Sequence, residues 1–329
     1  KSKFHLSERP VVLFILQNEA TFILPELESP KILDLDVNFI TYDDEEGPRP
    51  AFEKFANTNN ISKLGVESRT IRHLELDLMN STGIVSNIVD SIDIFAKLRM
   101  SKSHKEIDNM IEAVKIAETS LKSILGNIRP GVTEKQFAAD LVIELLRNGS
   151  DSELPFSPIV ASGTNAANPH HFPGNKKFQD GELIIIDWGA NFEGYFSDIT
   201  RTFALGDSIN SELLTAYETV RQANKSARIK AKIGVQAGDV DQAARKVIET
   251  SGFGKFFTHR TGHGLGLEVH EEPYIKPGND FILEKGMTFT IEPGIYIPNL
   301  GGIRIEDDIY LEDSGATSLT TLSRKLIYL

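Results

Sequence analysis

The chain has 329 residues, 40% hydrophobic and 25% charged, with a formal net charge of −12 and no cysteine. That length predicts two domains in an ordinary soluble protein, and the acidity argues against nucleic acid and anionic membrane surfaces as partners. The missing cysteines exclude disulfides, thiolate metal sites and cysteine nucleophiles.

The first segments, 10–16, 20–25 and 37–41, are short, rich in Val, Ile, Leu and Phe, and bounded by Pro, Asp, Glu or Asn, which predicts strands. The run 11–16 is too short to span a bilayer, and Gln17, Asn18 and Glu19 follow it where a small-residue cleavage site would stand. A cytoplasmic location is the expectation. Segments 50–60 and 70–79 predict helices and 63–67 another strand, a small α/β unit ending near residue 95. From Ser103 the pattern changes: Ile107, Ile111, Val114, Ala117, Leu121 and Ile124 recur at the spacing of a long amphipathic helix. The expected domains are 1–97, α/β, and 98–329. His5, His73 and His104 have no motif around them and read as surface or packing residues.

The second domain contains an internal repeat at an offset of 105 residues. Ala138-Ala139 maps onto Ala243-Ala244, Ile143-Glu144 onto Ile248-Glu249, Gly181 onto Gly286, Asp187 onto Glu292 and Gly189 onto Gly294. Thr133-Glu134 and Gly238-Asp239 each give an acidic first turn of a helix, with Thr133 the better N-cap. Each half reads helix, turn, helix, then a strand that ends in a carboxylate followed by x-Gly.

The carboxylates come in pairs. In the first half the apolar strand 182–186 runs into Asp187, and Asp198 follows across a hairpin at 189–194. In the second half Glu292 ends the strand 288–291, and Glu306 lies in the run 301–308. Four acids converging in a core repel one another and cost several kcal/mol each in desolvation, so cations are needed to compensate them. A single such acid reads better as a solvated strand end; four acids paired by a repeat do not.

Five of the eight histidines fall in two patches, His170 and His171, then His259, His263 and His270. His259 and His263 have the spacing of a zinc-protease helix, but Arg260 stands where the general-base Glu belongs, and Gly262, Gly264 and Gly266 oppose a helix. Glycine on both sides of His263 predicts backbone passing close to a crowded site. One histidine among carboxylates suits Mn²⁺, Co²⁺, Fe²⁺ or Zn²⁺, with the oxygen-rich set favouring Mn²⁺. No Gly-x-Ser-x-Gly elbow, phosphate loop or dinucleotide glycine fingerprint is present. Trp188 reads as packing against the strand end.

The runs GELIIIDWGA at 181–190, SDITRTF at 197–203, GHGLGLEVH at 262–270, IEPG at 291–294 and GIRIED at 302–307 resemble those of the proline-specific metallopeptidases. These are the Xaa-Pro dipeptidases (prolidases) and Xaa-Pro aminopeptidases of the pita-bread fold. The resemblance covers about residues 98–329 and extends to 1–97 only in general shape. It implies a small N-terminal α/β domain followed by a duplicated pita-bread domain with a curved, mainly antiparallel sheet.

The resemblance further implies two metal ions. Asp187 and Asp198 would hold one, Asp198 and Glu306 would bridge to the second, and His263 and Glu292 would complete it. A bridging water acidified by both cations would attack the scissile carbonyl. Glu292 is the implied proton shuttle, His170 and His270 stabilise the tetrahedral intermediate or position the substrate, and His259 and Arg304 lie near the pocket. His171 is the alternative to His170. Short proline-containing peptides are the implied partners, and a homodimer the implied assembly. Family members of this domain order usually carry a further N-terminal helix and strand, whose sequel the run 1–10 resembles, hence the expectation of a shortened first domain. Three rivals share the fold. Creatinase-type amidinohydrolases and non-enzymatic binding modules lack the ligand set, which is intact here, and methionine aminopeptidases normally lack such a preceding domain.

Overall fold

A computed structural model describes residue 4, residues 7–85 and residues 87–329; His5 lies outside the described residues. The chain divides into two compact units, Lys1–Phe95 and Ala96–Leu329. Among the described residues no helix is long and apolar enough to cross a membrane.

In the first unit, strands Val12–Ile15, Ala20–Pro25 and Asn38–Tyr42 form one sheet, antiparallel then parallel. Strands Leu64–Val66 and Ile88–Asp90 form a second, parallel pair. Helices Arg49–Thr58 and His73–Ser81 sit close to the expected positions. Phe14, Phe52, Phe55 and Met79 close the core, each such burial contributing about 1.5–3 kcal/mol.

The second unit is built twice over. Its first half has helices His104–Ile124 and Glu134–Arg147 on a four-stranded sheet ordered Ile327–Tyr328, Ile199–Leu205, Glu182–Trp188, Ile159–Ser162. Its second half has helices Ser211–Lys230 and Ala237–Thr250. Their sheet has five strands, ordered Glu271–Ile275, Gly262–Gly264, Thr288–Ile291, Asp307–Glu312, Gly315–Ser318. Gly181 and Gly286, partners in the repeat, enter their strands with φ of 86° and 89°, a left-handed turn that glycine adopts freely. Two apolar clusters match the halves. Phe137, Leu141, Ile184 and Ile186 belong to one, and Val220, Ala244, Phe289 and Ile309 to the other.

The long helix starts where Ser103 and Glu106 form a reciprocal capping box. One expected core position moves: Ile111 is exposed and Met110 is buried in its place. The 3.6-residue period allows either three or four residues after Ile107, and packing chooses three. Trp188 is fully buried, donating its indole N–H to the carbonyl of Ala117, 2.9 Å. His73 and His104 are exposed first residues of their helices. A C-terminal strap crosses the first half: Glu118 accepts the backbone N–H groups of Thr321 and Leu322 and the Thr321 hydroxyl, 203 residues or more along the chain.

Candidate metal centre

Strand register delivers the acids. Glu182–Trp188 pairs antiparallel with Ile199–Leu205 so that Asp187 faces Thr200 and Trp188 faces Ile199. Asp187 therefore lies one residue from the end of one strand and Asp198 immediately before the start of the next. The second half repeats this: Ile291 pairs with Asp307, which leaves Glu292 and Glu306 at the same open end of their strand pair. Ligand atoms of Asp198, His263 and Glu306 all lie within 4.8 Å of one another. His263 Nε2 is 3.3 Å from Glu292 Oε1 and 3.6 Å from Asp198 Oδ2. Asp187 joins this group from the Arg304 side, its Oδ2 2.6 Å from the guanidinium.

The glycines beside His263 act through space rather than backbone angle. A Cβ on Gly262 would lie 1.9 Å from the Thr290 carbonyl oxygen, and one on Gly264 2.2 Å from that of Glu272. The His263 ring is oriented by Nδ1, which donates to the Gly264 carbonyl, 3.1 Å. Nε2 then carries the lone pair, aimed at the carboxylates. Burial, with His270 and Arg260 nearby, pushes the pKa of His263 well below its ordinary value, so the ring is neutral.

A neutral nitrogen and carboxylates at these distances call for either protons or a positive centre. Burial first, then Glu306 and Asp187, push Asp198 well above the ordinary range. Burial, then Glu292 and Asp187, do the same to Glu306. Glu292 is pushed up to about 7 by burial, with Arg304 opposing. The buried Oδ1 of Asp187 has no hydrogen-bond partner among the described residues. An oxygen-rich set with one imidazole lone pair and an orphaned carboxylate oxygen fits divalent metal ions, whose charge reverses these shifts.

A pH test follows. Without cations the folded protein holds protons on Asp198, Glu292 and Glu306 that the unfolded chain releases above about pH 4. These raised pKa values contribute stability that is fully present below the unfolded pKa and lost as pH rises through the folded one, about 7 for Glu292. Thermal melts in chelator are expected to show stability falling from about pH 5 to about pH 8. With a divalent cation the fall is expected to shrink or reverse, because binding requires deprotonated ligands.

Three groups that hold the candidate ligands or their partner Arg304 are given no role by the sequence, although Thr200 lies inside the run 197–203. Thr200 Oγ1 donates to Glu306 Oε2, 2.6 Å, and the Asp198 amide donates to Asp308 Oδ2, 3.1 Å. Tyr296 accepts from Arg304 Nη1, 2.8 Å. The sequence places Asp308 beyond the ligands and so expects Asp308→Asn to be mild. The structure buries Asp308 against Asp198, and Asn stays mild for a different reason: its amide oxygen can still take the Asp198 N–H. Asp308→Ala cannot, and a loss of metal affinity of ~10–100-fold is expected on metal titration.

The centre forms the floor of a cavity of about 740 Å³ whose walls include His170, His259, Arg260, His270 and Arg304. His259 is tied into a directed chain. Its Nδ1 donates to the Arg260 carbonyl, 2.7 Å, so Nε2 accepts from the Tyr296 hydroxyl, 2.9 Å, and Tyr296 in turn accepts from Arg304. Burial, then the Arg304 charge, lowers the His259 pKa to about 3, which keeps the ring neutral. His270 packs edge-on against His263 at 4.2 Å, and burial, then Arg260, lowers its pKa. Arg260 stacks over Tyr274, 4.5 Å from guanidinium to ring centre. Of the adjacent pair, the His171 ring is held on Glu134 at 2.9 Å, whereas the His170 ring has no hydrogen-bond partner among the described residues.

The profile of Metallopeptidase family M24 matches residues 108–313. The Xaa-Pro dipeptidase of Pyrococcus furiosus is 36% identical over 94% of this chain and 87% of its own. Among solved structures, the dipeptidase from Pyrococcus horikoshii OT3 superposes with a TM-score of 0.91 at 40% identity, covering 98% of this chain and 90% of that one. A recombinant prolidase from Thermococcus sibiricus superposes at 0.92 with 36% identity, covering 98% and 88%.

Proposed function

Since the chain belongs to Metallopeptidase family M24 and has its pita-bread fold, we propose that this metal-dependent hydrolase cleaves the peptide bond preceding proline in Xaa-Pro dipeptides. The observation that carries the reading is the meeting of Asp198, His263 and Glu306 within 4.8 Å at the floor of the cavity, with Glu292 and Asp187 beside them. The names of the relatives in Pyrococcus and Thermococcus support the substrate class.

In this reading Asp187, Asp198, His263, Glu292 and Glu306 hold two divalent ions, with Mn²⁺ favoured by the oxygen-rich set. Bound there, the ions supply Lewis-acid polarisation and lower the pKa of water to near neutrality. Glu292 takes the proton of the attacking water on a carboxylate oxygen and returns it to the leaving nitrogen. His170 and His270 donate ring N–H groups towards the substrate carbonyl oxygen as charge develops on it. Arg304 neutralises Asp187 and, through Tyr296 and His259, fixes the wall on which the substrate rests.

An Xaa-Pro bond is a tertiary amide, so its nitrogen offers no N–H and proline fixes its own φ. The site therefore selects by shape and by the free terminus, and acts on the trans isomer, the majority form. The test compares Ala-Pro, Ala-Pro-Ala and Ala-Ala-Ala with Mn²⁺. Cleavage of Ala-Pro alone is the expected result. Cleavage of the first two means an aminopeptidase of the same specificity, and equal rates on all three reject proline selectivity. His270→Ala is expected to lower turnover on Ala-Pro while elemental analysis shows its metal content unchanged, since His270 is not among the ligands.

A further inference from the structure

The segment after the strand Ile159–Ser162 carries His170 along the cavity wall, and both of its ends meet on one carboxylate. Glu134, first residue of the helix Glu134–Arg147, is 0% exposed. Its Oε1 accepts the Ser162 backbone N–H (2.8 Å), the Ser162 hydroxyl (2.9 Å) and the Asn165 amide (3.1 Å). Its Oε2 accepts from His171 Nε2 (2.9 Å) and from the Gly174 backbone N–H (3.2 Å). Lys176 closes the loop: its Nζ donates to the Ser162 hydroxyl at 2.8 Å, and its carbonyl accepts the Glu134 N–H at 3.0 Å.

Helix capping does not require this carboxylate, because Thr133 and Gln136 already form the capping box. Nor does the core tolerate it cheaply. Burial raises the Glu134 pKa, and hydrogen bonds led by that of His171 outweigh burial and leave it below the ordinary value, so the group is an anion. The second half solves the same problem in parallel: Asp241, also fully buried in the first turns of its helix, accepts the N–H and hydroxyl of Thr261, two residues before His263. What Glu134 has in addition is the ring adjacent to His170. Neighbouring side chains leave the backbone in different directions, so holding His171 on Glu134 limits where His170 can point.

We propose that Glu134, acting through His171, is a positioning residue that fixes the loop so that the His170 ring faces the scissile bond. The proposal rests on the reading of His170 as a substrate contact. A displacement of about 1 Å in such a group costs on the order of 100-fold in rate, so the effect is measurable.

The experiment measures kcat, KM, metal content and melting temperature on Ala-Pro for Glu134→Gln, His171→Leu and His171→Gln, in the wild-type and His170→Ala backgrounds. Glu134→Gln and His171→Leu are expected to lower kcat by ~10–100-fold with metal content unchanged. His171→Gln, which keeps an N–H within reach of the carboxylate, is expected to restore most of the rate. In the His170→Ala background the same changes should add less than about 2-fold, the signature of residues that act as one unit. If Glu134→Gln does not fold, the two His171 variants decide. Equal losses in both backgrounds, or metal lost in step with rate, overturn the proposal and leave Glu134 a structural anchor. Wild-type activity in His170→Ala alone removes the substrate role of His170, and the proposal with it.

Discussion

Asp198→Asn is expected to abolish turnover and strip metal from the protein in one step. Asn copies the shape of Asp198, and the backbone N–H that anchors it on Asp308 is untouched, so the variant isolates the loss of charge. That charge lies where Asp198, His263 and Glu306 converge, and the side chain is 7% exposed, so water cannot replace it. Losing an outer partner of a metal ligand costs ~10–100-fold, and losing Asp198, if it is shared by both ions as proposed, is expected to exceed that, at ~10³-fold or more in kcat/KM. Elemental analysis and Ala-Pro turnover on the same preparation check it. A variant with full metal and full rate rules out Asp198 as a bridge.

Glu292→Gln is expected to separate metal binding from proton transfer. The Gln oxygen can still ligate, but the proton acceptor is gone, so the rate should fall by the ~10²–10⁴-fold typical of a lost general base, with much of the metal retained. Glu292 suits the task because its side chain, at 15% exposed, is more open to the cavity than that of Asp198 at 7% or His263 at 2%. Its backbone N–H donates to the Thr261 carbonyl at 2.7 Å, which fixes the strand end from which the side chain projects. A pH–rate profile adds a second readout: the acidic limb of the wild type should flatten in Glu292→Gln. An unchanged limb and unchanged rate would show that another group moves the proton.

The acids were legible because their signals are local. A strand ending in an acid, with glycine two residues on, can be read from one short window, and the repeat doubles the statement at Asp187 and Glu292. His263 was legible through its glycines, whose lack of Cβ lets the strand approach within 1.9–2.2 Å of where a side chain would collide. What escaped lies in contacts that no window spans. Arg304 meets Asp187 across 117 residues, and Asp308 meets the Asp198 amide across 110. Tyr296 sits in an unremarked strand, and only the fold brings it to His259. Glu134 read as an ordinary first-turn acid, because its partners reach forward as far as Gly174, 40 residues on. The exchange of Ile111 for Met110 has a different origin: the helical period permits both, and only packing distinguishes them.

The strap held by Glu118 sets a timetable for synthesis. Glu118 leaves the ribosome on an amphipathic helix with only Lys122 as a local partner, and the amides that complete its carboxylate's hydrogen bonds are translated 203 and 204 residues later. Asp187 likewise waits 117 residues for its guanidinium. The nascent first half therefore lacks these distant partners, and its sheet lacks the strand Ile327–Tyr328, until the second half has been made; under the proposed ligand set, metal capture follows translation. Contacts of such separation close slowly and leave apolar surface open meanwhile. A duplicated architecture that divides the candidate centre between two halves thus completes that centre only once both halves have been made.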